Sequence, residues 1–147
     1  MDDEQGVTAG LFTAVGRTVV LVEDAEAALA FYRDVLGFTV LFDGDLDGYR
    51  LLHVGPSGGP SGGPTGGPGA TAGLWLMPAE SPDARAAVGR QTGGMPLLVL
   101  HTDGLDRVAA RLAEHGVPTR PGVADGGPGR SLHFQDLYGN ELIAAQL

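Results

Sequence analysis

The chain has 147 residues, 43% of them hydrophobic, a formal charge of −9 and no cysteine. The length and composition fit one globular domain, and the negative charge argues against nucleic-acid binding, because phosphate contacts need a basic face. The lack of cysteine excludes disulfides, thiolate metal sites and a cysteine nucleophile. With no signal-peptide pattern and no apolar run of roughly 18 residues, we expect a cytoplasmic protein without membrane association.

The first half of the chain predicts a strand, a helix and three further strands. Residues 15–22 are rich in valine and leucine and indicate a buried strand, after which Asp24 stands at the N-cap of a helix that Gly37 ends. The helix carries one apolar stripe, formed by Ala28, Phe31, Tyr32 and Val35. The further strands are predicted over 38–42, 49–54 and 74–77, with a turn rich in aspartate and glycine between the first two.

A repetitive insertion separates the third and fourth predicted strands. In residues 55–69 a Pro-Ser/Thr-Gly-Gly unit recurs every four residues, and none of its side chains can build a core. Such a composition is typical of a flexible loop. Each flank is too short for a comfortable independent domain, so we predict a single domain over residues 1–147.

The second half of the chain repeats the first. Residues 97–101 predict a strand, Asp103 is expected to cap a helix through Glu114, and Gly116 ends it. Each cap aspartate stands 13 residues before its glycine, and the segment Arg50-Leu51-Leu52-His53-Val54 is echoed 80 residues later by Arg130-Ser131-Leu132-His133-Phe134. The pattern predicts an internal duplication, with modules at about 14–78 and 94–147 and a polar connection over 81–94.

Two motifs indicate which fold the duplication builds. The first helix ends in Phe-Tyr-x-x-x-Leu-Gly-Phe at residues 31–38, and residues 134–140 read Phe-Gln-Asp-Leu-Tyr-Gly-Asn. Both resemble signatures of the vicinal oxygen chelate superfamily, which includes glyoxalase I, bleomycin-resistance proteins and extradiol dioxygenases; Leu137 replaces the usual proline. The resemblance implies an α+β fold in which two βαβββ modules form a cup-shaped mixed sheet.

The resemblance also implies where a divalent metal would be held. Its four ligands would fall near Arg17, Trp75, Leu97 and Ile143, and none of these side chains is a plausible metal ligand. In the surrounding strands only Glu141 and Gln146 offer donors, and one ligand does not make a site. We therefore expect no metal and no other cofactor.

The same positions predict the lining of the cup, because side chains alternate across a strand. The candidate ligand-binding residues are Arg17, Trp75, Met77, Leu97, Val99, His101 and Ile143. Trp75 would stack on a ring, and Arg17 would pair with a carboxylate or phenolate. The alternative is that Trp75 fills the core and Arg17 reaches solvent.

These observations favour a metal-free protein of the bleomycin-resistance kind, acting in antibiotic resistance as a homodimer that holds an aromatic or amphipathic organic molecule. An alternative is a metal-independent isomerase, cyclase or lyase using Arg17, His101 or Glu141. A third is a metal enzyme with ligands relocated to His53, His101 and His133. No catalytic residue is assigned, and the sequence leaves open whether the protein is an enzyme.

Overall fold

A computed structural model describes residues 10–56, 72–122 and 129–147 and contains two four-stranded mixed sheets. Module 1 comprises β1 (Arg17–Val22), α1 (Ala25–Leu29), β2 (Thr39–Leu46), β3 (Tyr49–Gly55) and β4 (Gly73–Pro78). Module 2 comprises β5 (Pro96–His101), α3 (Leu105–Glu114), β6 (Thr119–Pro121), β7 (Arg130–Gln135) and β8 (Glu141–Gln146), and α2 (Pro82–Ala87) lies between the modules.

The two sheets share one topology, with strand orders β1-β4-β3-β2 and β5-β8-β7-β6. In each, the first pair is parallel and the other pairs are antiparallel. The predicted α+β fold of two βαβββ modules is confirmed. The short strand β6 was not predicted, and of the predicted loop 55–69 only Gly55, which ends β3, and Pro56 belong to the described residues.

The first helix begins as predicted and then widens. Asp24 Oδ1 accepts a hydrogen bond from Glu26 N at 2.9 Å, as an N-cap does. From Ala30 to Val35 the helix is a π-helix, and Leu36 N donates to Phe31 O five residues earlier. The apolar stripe predicts a helix, because its residues lie on one face of an α-helix and of a π-helix alike. For the same reason, the stripe does not predict the wider turns of the π-helix.

The hairpin of module 1 is longer than predicted. Strand β2 continues to Leu46, and only Asp47 and Gly48 form the turn, with φ of 53° and 84°. Two positive φ values match the twist of a tight hairpin, which the Asp-Gly pair permits. Asp43 and Asp45 of the predicted turn therefore belong to β2, where Asp43 forms an ion pair with Arg50 at 2.8 Å.

The connection between the modules contains a helix that was not predicted. Ser81 Oγ accepts from Ala84 N at 3.0 Å and Pro82 follows it, so α2 has a standard start. Farther on, Gln91 acts as a strand substitute at the free edge of β1: its side chain accepts from Leu21 N at 2.7 Å and donates to Val19 O at 3.1 Å. The connection thereby covers an edge that would otherwise be open.

The expected cap of the second helix is wrong. The N-cap of α3 is Gly104 rather than Asp103, and it makes no side-chain cap bond. Instead Leu105 N donates to Gln146 Oε1 of β8 at 2.8 Å. An acceptor 41 residues away thus satisfies the helix start, which local spacing does not reveal.

The modules meet through their helix-covered sides. One hydrophobic cluster contains buried residues of both modules, among them Val20, Leu52 and Leu142. Across this interface the hydroxyl of buried Tyr32 donates to Asp136 Oδ2 at 2.7 Å. Within the described residues, no helix is long and apolar enough to cross a membrane.

Candidate functional site

Each sheet has one face against the helices and one face turned away from them, which we call the open face. In β1, Val20 and Val22 are fully buried on the helix side, whereas the alternate residues Val19 and Leu21 are half-buried. The same alternation holds in β8, where Leu142 and its alternate neighbours face the core. In the described parts of the chain, the hydrogen bonds between modules join residues of helices and turns and none from the open faces.

An aromatic surface occupies the open face of module 1. Strand pairing aligns Val19, Trp75, His53 and Phe42 in one row across the sheet. The ring centroid of His53 lies 5.5 Å from that of Phe42 and 5.6 Å from that of Trp75. Tyr49 meets the Trp75 ring edge to face at 6.4 Å, and its hydroxyl donates to Pro78 O. This apolar, π-rich surface suits a planar organic molecule.

Three polar groups stand within this aromatic surface, on Arg17, His53 and Trp75. Arg17 Nε donates to His53 Nδ1 at 3.1 Å, so the proton of the neutral imidazole is on Nε2. Burial and the nearby Arg17 charge lower the pKa of His53, which keeps the ring neutral. The buried Trp75 Nε1 has no acceptor among the described residues. A ligand with acceptor or anionic atoms would be favoured here.

The corresponding row of module 2 is more polar. Strand pairing aligns Val99, Ile143, His133 and Arg120. Glu141 lies beside this row, and its Oε2 accepts from Arg120 Nη2 at 2.6 Å and bonds His133 Nδ1 at 2.7 Å. These bonds, the one from His133 first, lower the pKa of Glu141, so the group is a carboxylate. His133 is pseudo-equivalent to His53 but has an acidic partner in place of an arginine.

The seven predicted ligand-binding residues fall into two groups of three and one outlier. Arg17, Trp75 and Met77 share the open face of module 1, and Val99, His101 and Ile143 share that of module 2. Leu97 lies where the pairing of β5 with β8 is irregular, and it packs against the hydrophobic core. The roles of all seven in binding stay predictions.

The open faces do not offer the donor set that a divalent metal requires. The positions that would supply ligands carry a guanidinium, an indole and two aliphatic groups, as the sequence indicated. Of the residues that the structure describes, no three histidine, aspartate or glutamate side chains lie close enough to share an ion. His53, His101 and His133 therefore do not form the relocated metal site that was one alternative.

Sequence reasoning missed Phe42, Tyr49 and Arg120. Alternation along β3 puts Tyr49 on the same face as His53, and that signal was present in the sequence. Phe42 reaches this face because a bulge shifts the pairing between Val40 and Phe42. Arg120 lies on a strand of three residues that has no clear sequence pattern.

A second concavity lies outside the open faces. A cavity of about 870 Å³ is lined by residues of both modules, including Phe38, Leu100 and Val108, and it also reaches His101 at the end of β5. Arg111 at its wall already donates to the main-chain carbonyls of Asp34 and Val35, at 2.8 and 3.1 Å. Because this guanidinium is already hydrogen-bonded across the interface between the modules, the cavity is a weaker candidate for ligand recognition than the open faces.

Comparisons with known proteins agree with this architecture. A family model described as Glyoxalase/Bleomycin resistance protein/Dioxygenase superfamily matches residues 14–143. No curated protein sequence matches the chain. The solved structure of TnmS3, an antibiotic binding protein from Streptomyces sp. CB03234, is 30% identical, with 92% of this chain and 97% of that chain covered and a TM-score of 0.71.

Two further solved structures are similar. A superfamily member from Sphaerobacter thermophilus DSM 20745 is 26% identical over 93% of this chain and 99% of its own, with a TM-score of 0.69. A glyoxalase/bleomycin resistance protein from Streptomyces sp. CB03234 is 30% identical over 87% of this chain and 96% of its own, with a TM-score of 0.62.

Proposed function

Since this chain belongs to the glyoxalase/bleomycin resistance protein/dioxygenase superfamily, we propose that it is a metal-free binding protein for an aromatic or amphipathic organic molecule. The observation that carries the proposal is the aromatic surface formed by Phe42, Tyr49, His53 and Trp75 on an open sheet face. Similarity to an antibiotic binding protein favours natural-product antibiotics as the ligand class and a role in antibiotic resistance.

The surface combines stacking with hydrogen-bond donors. A planar ligand would lie against Trp75, while a carbonyl or oxyanion at its edge would accept from Arg17. The chemistry is capture by burial and stacking, with no bond made or broken.

Tryptophan fluorescence tests this proposal directly, because Trp75 is the only tryptophan of the chain. We expect polycyclic aromatic antibiotics from a broad natural-product panel to quench its emission saturably. A ligand at one hundred times its dissociation constant would also stabilise the protein by about 2.7 kcal/mol, visible as a higher melting temperature. A panel in which no compound changes either signal would count against the proposal.

We further propose that the protein acts as a homodimer in which a second copy covers the open faces. Phe42, Leu46 and Val99 are 50%, 62% and 59% exposed, although large apolar side chains concentrated on sheet faces are usually covered. Because one chain presents two pseudo-equivalent faces, the module 1 face of one copy can pair reciprocally with the module 2 face of another. The binding surface would then lie between copies.

Sedimentation equilibrium tests this arrangement. We expect the unmodified protein to be a dimer at micromolar concentration and Val99→Asp to shift it towards monomer, because a carboxylate would be buried without a partner. Asp83→Ala, on the connecting helix α2, is the control and should leave the mass unchanged. A wild-type protein that stays monomeric would contradict the proposed dimer.

A further inference from the structure

A polar pocket on module 2 stands apart from the aromatic surface. It has a volume of about 180 Å³ and is lined by Pro118, Thr119, Arg120, His133, Phe134, Gln135 and Glu141. This is several times the roughly 30 Å³ that one water molecule occupies in the liquid. The pocket is therefore large enough to admit part of a ligand, and the imidazole of His133 forms part of its wall.

The partners of His133 determine which ring nitrogen carries the proton. Arg120 and His133 both bond the same Glu141 oxygen, and an ionised carboxylate accepts hydrogen bonds without donating any. The proton of the neutral imidazole is thus on Nδ1, and the lone pair is on Nε2. Within the described ranges no donor is bonded to that Nε2. His53 has the opposite tautomer, since its Nδ1 accepts from Arg17.

The low exposure of the His133–Glu141 pair and the charge of its carboxylate both suit a proton acceptor. The side chains of His133 and Glu141 are only 17% and 16% exposed, so their bond is little screened by water. If His133 gains a proton at Nε2, the Glu141 carboxylate stabilises the imidazolium that forms. Among the residues that the structure describes, the other titratable groups on this open face are Arg120, which is paired with Glu141, and His101 on β5.

We infer that His133, oriented by Glu141, binds an acidic hydroxyl group of the ligand, a phenol or an enol, by accepting its proton at Nε2. The ligand O–H bond breaks, the Nε2–H bond forms, and the resulting oxyanion stays hydrogen-bonded to the imidazolium, whose charge Glu141 balances. The inference rests on the proposed function, and it deepens that function by naming a functional group that the ligand must carry.

The test compares 4-nitrophenol with 4-nitroanisole, which has the same ring but a methylated oxygen. Below the pKa of free 4-nitrophenol, binding to the wild-type protein should produce the longer-wavelength absorption of the phenolate. We expect the phenol to bind about tenfold more tightly than the ether, as for a hydrogen bond that involves charge. His133→Gln and Glu141→Gln should each abolish this preference and the phenolate band, while His115→Gln, an exposed residue after α3, should retain both.

A measurement on the unaltered protein tests the same inference without depending on whether the variants fold. The Cε1–H resonance of one histidine should move to its imidazolium position when 4-nitrophenol is added and stay in place with 4-nitroanisole. Equal affinity for the two compounds, or a preference that survives both substitutions, overturns the inference while leaving aromatic capture intact. If neither compound binds the wild-type protein, the inference and the proposed aromatic ligand class both fail.

Discussion

Replacing Asp136 by alanine is expected to lower the free energy of unfolding by about 3–5 kcal/mol. This buried carboxylate accepts from Tyr32 Oη at 2.7 Å and from Asn140 Nδ2 at 2.9 Å. It also accepts from the main-chain N–H groups of Tyr138 and Asn140, at 2.9 and 3.0 Å. Alanine would leave these donors buried without acceptors, and it would remove a bond between the two modules. Urea unfolding measures the change.

The control for this prediction is Asp106→Ala. Asp106 is 87% exposed and pairs with Arg130 on the surface, so its loss should change stability by less than about 1 kcal/mol. If Asp136→Ala were as harmless as Asp106→Ala, the buried network would not contribute to module association as the geometry implies.

The substitution Tyr32→Phe tests the hydrogen bond between Tyr32 and Asp136 through the pH dependence of the free energy of unfolding. Burial, and secondarily Asp136, hold the pKa of Tyr32 well above its ordinary value of 10.0. The folded protein thus keeps the phenolic proton at a pH where the unfolded chain loses it. The contribution of this group to stability is fully present below about pH 10 and declines as the pH rises above that value.

In the phenylalanine variant this alkaline decline should be shallower than in the wild type, by up to about 1.4 kcal/mol per pH unit. Tyr49 and Tyr138 remain in both proteins, so the difference isolates Tyr32. At neutral pH the variant should lose only about 1 kcal/mol, since it removes one donor and keeps the ring. Parallel stability curves above pH 10 would contradict the assignment.

Replacing Trp75 by alanine should weaken the binding of a planar aromatic ligand by about 10–100-fold, the largest effect expected for a single residue of the open face. The indole lies at the centre of the aromatic surface, between His53 and Tyr49. Its removal would eliminate the largest ring on which a ligand could stack. Titration calorimetry with the tightest ligand of the panel measures the loss without relying on tryptophan fluorescence.

Two further substitutions distinguish a loss of ligand recognition from a general loss of structure. Trp75→Phe keeps an aromatic ring at the same position, so it should retain most of the stacking and of the affinity. Leu137→Ala, an exposed apolar residue in the turn before β8, should bind as the wild type does. Wild-type affinity in Trp75→Ala would place the ligand elsewhere, with the cavity between the modules as the next candidate.

Local patterns predicted the elements of this fold well, and they predicted the site in part. Alternation assigned Trp75, Met77 and Val99 to sheet faces, and the likeness of residues 50–54 to residues 130–134 indicated the duplication. The wrong predictions concern hydrogen bonds that are made by side chains distant in the sequence instead of by neighbouring residues. Gln146 rather than Asp103 satisfies the start of α3, and Gln91 completes the edge of β1.

By itself the sequence indicated the two modules, through segments that repeat after 80 residues. Its resemblance to a known superfamily implied the α+β class and the four metal positions, whose residue types are unsuitable as ligands. Only the tertiary structure decided that Phe42 joins the aromatic surface, that Leu97 packs against the core, and that His133 and Glu141 form a pair. These contacts depend on strand register and on local irregularities in pairing. A shift of one residue moves a side chain to the opposite face of a sheet, and spacing alone does not record that shift.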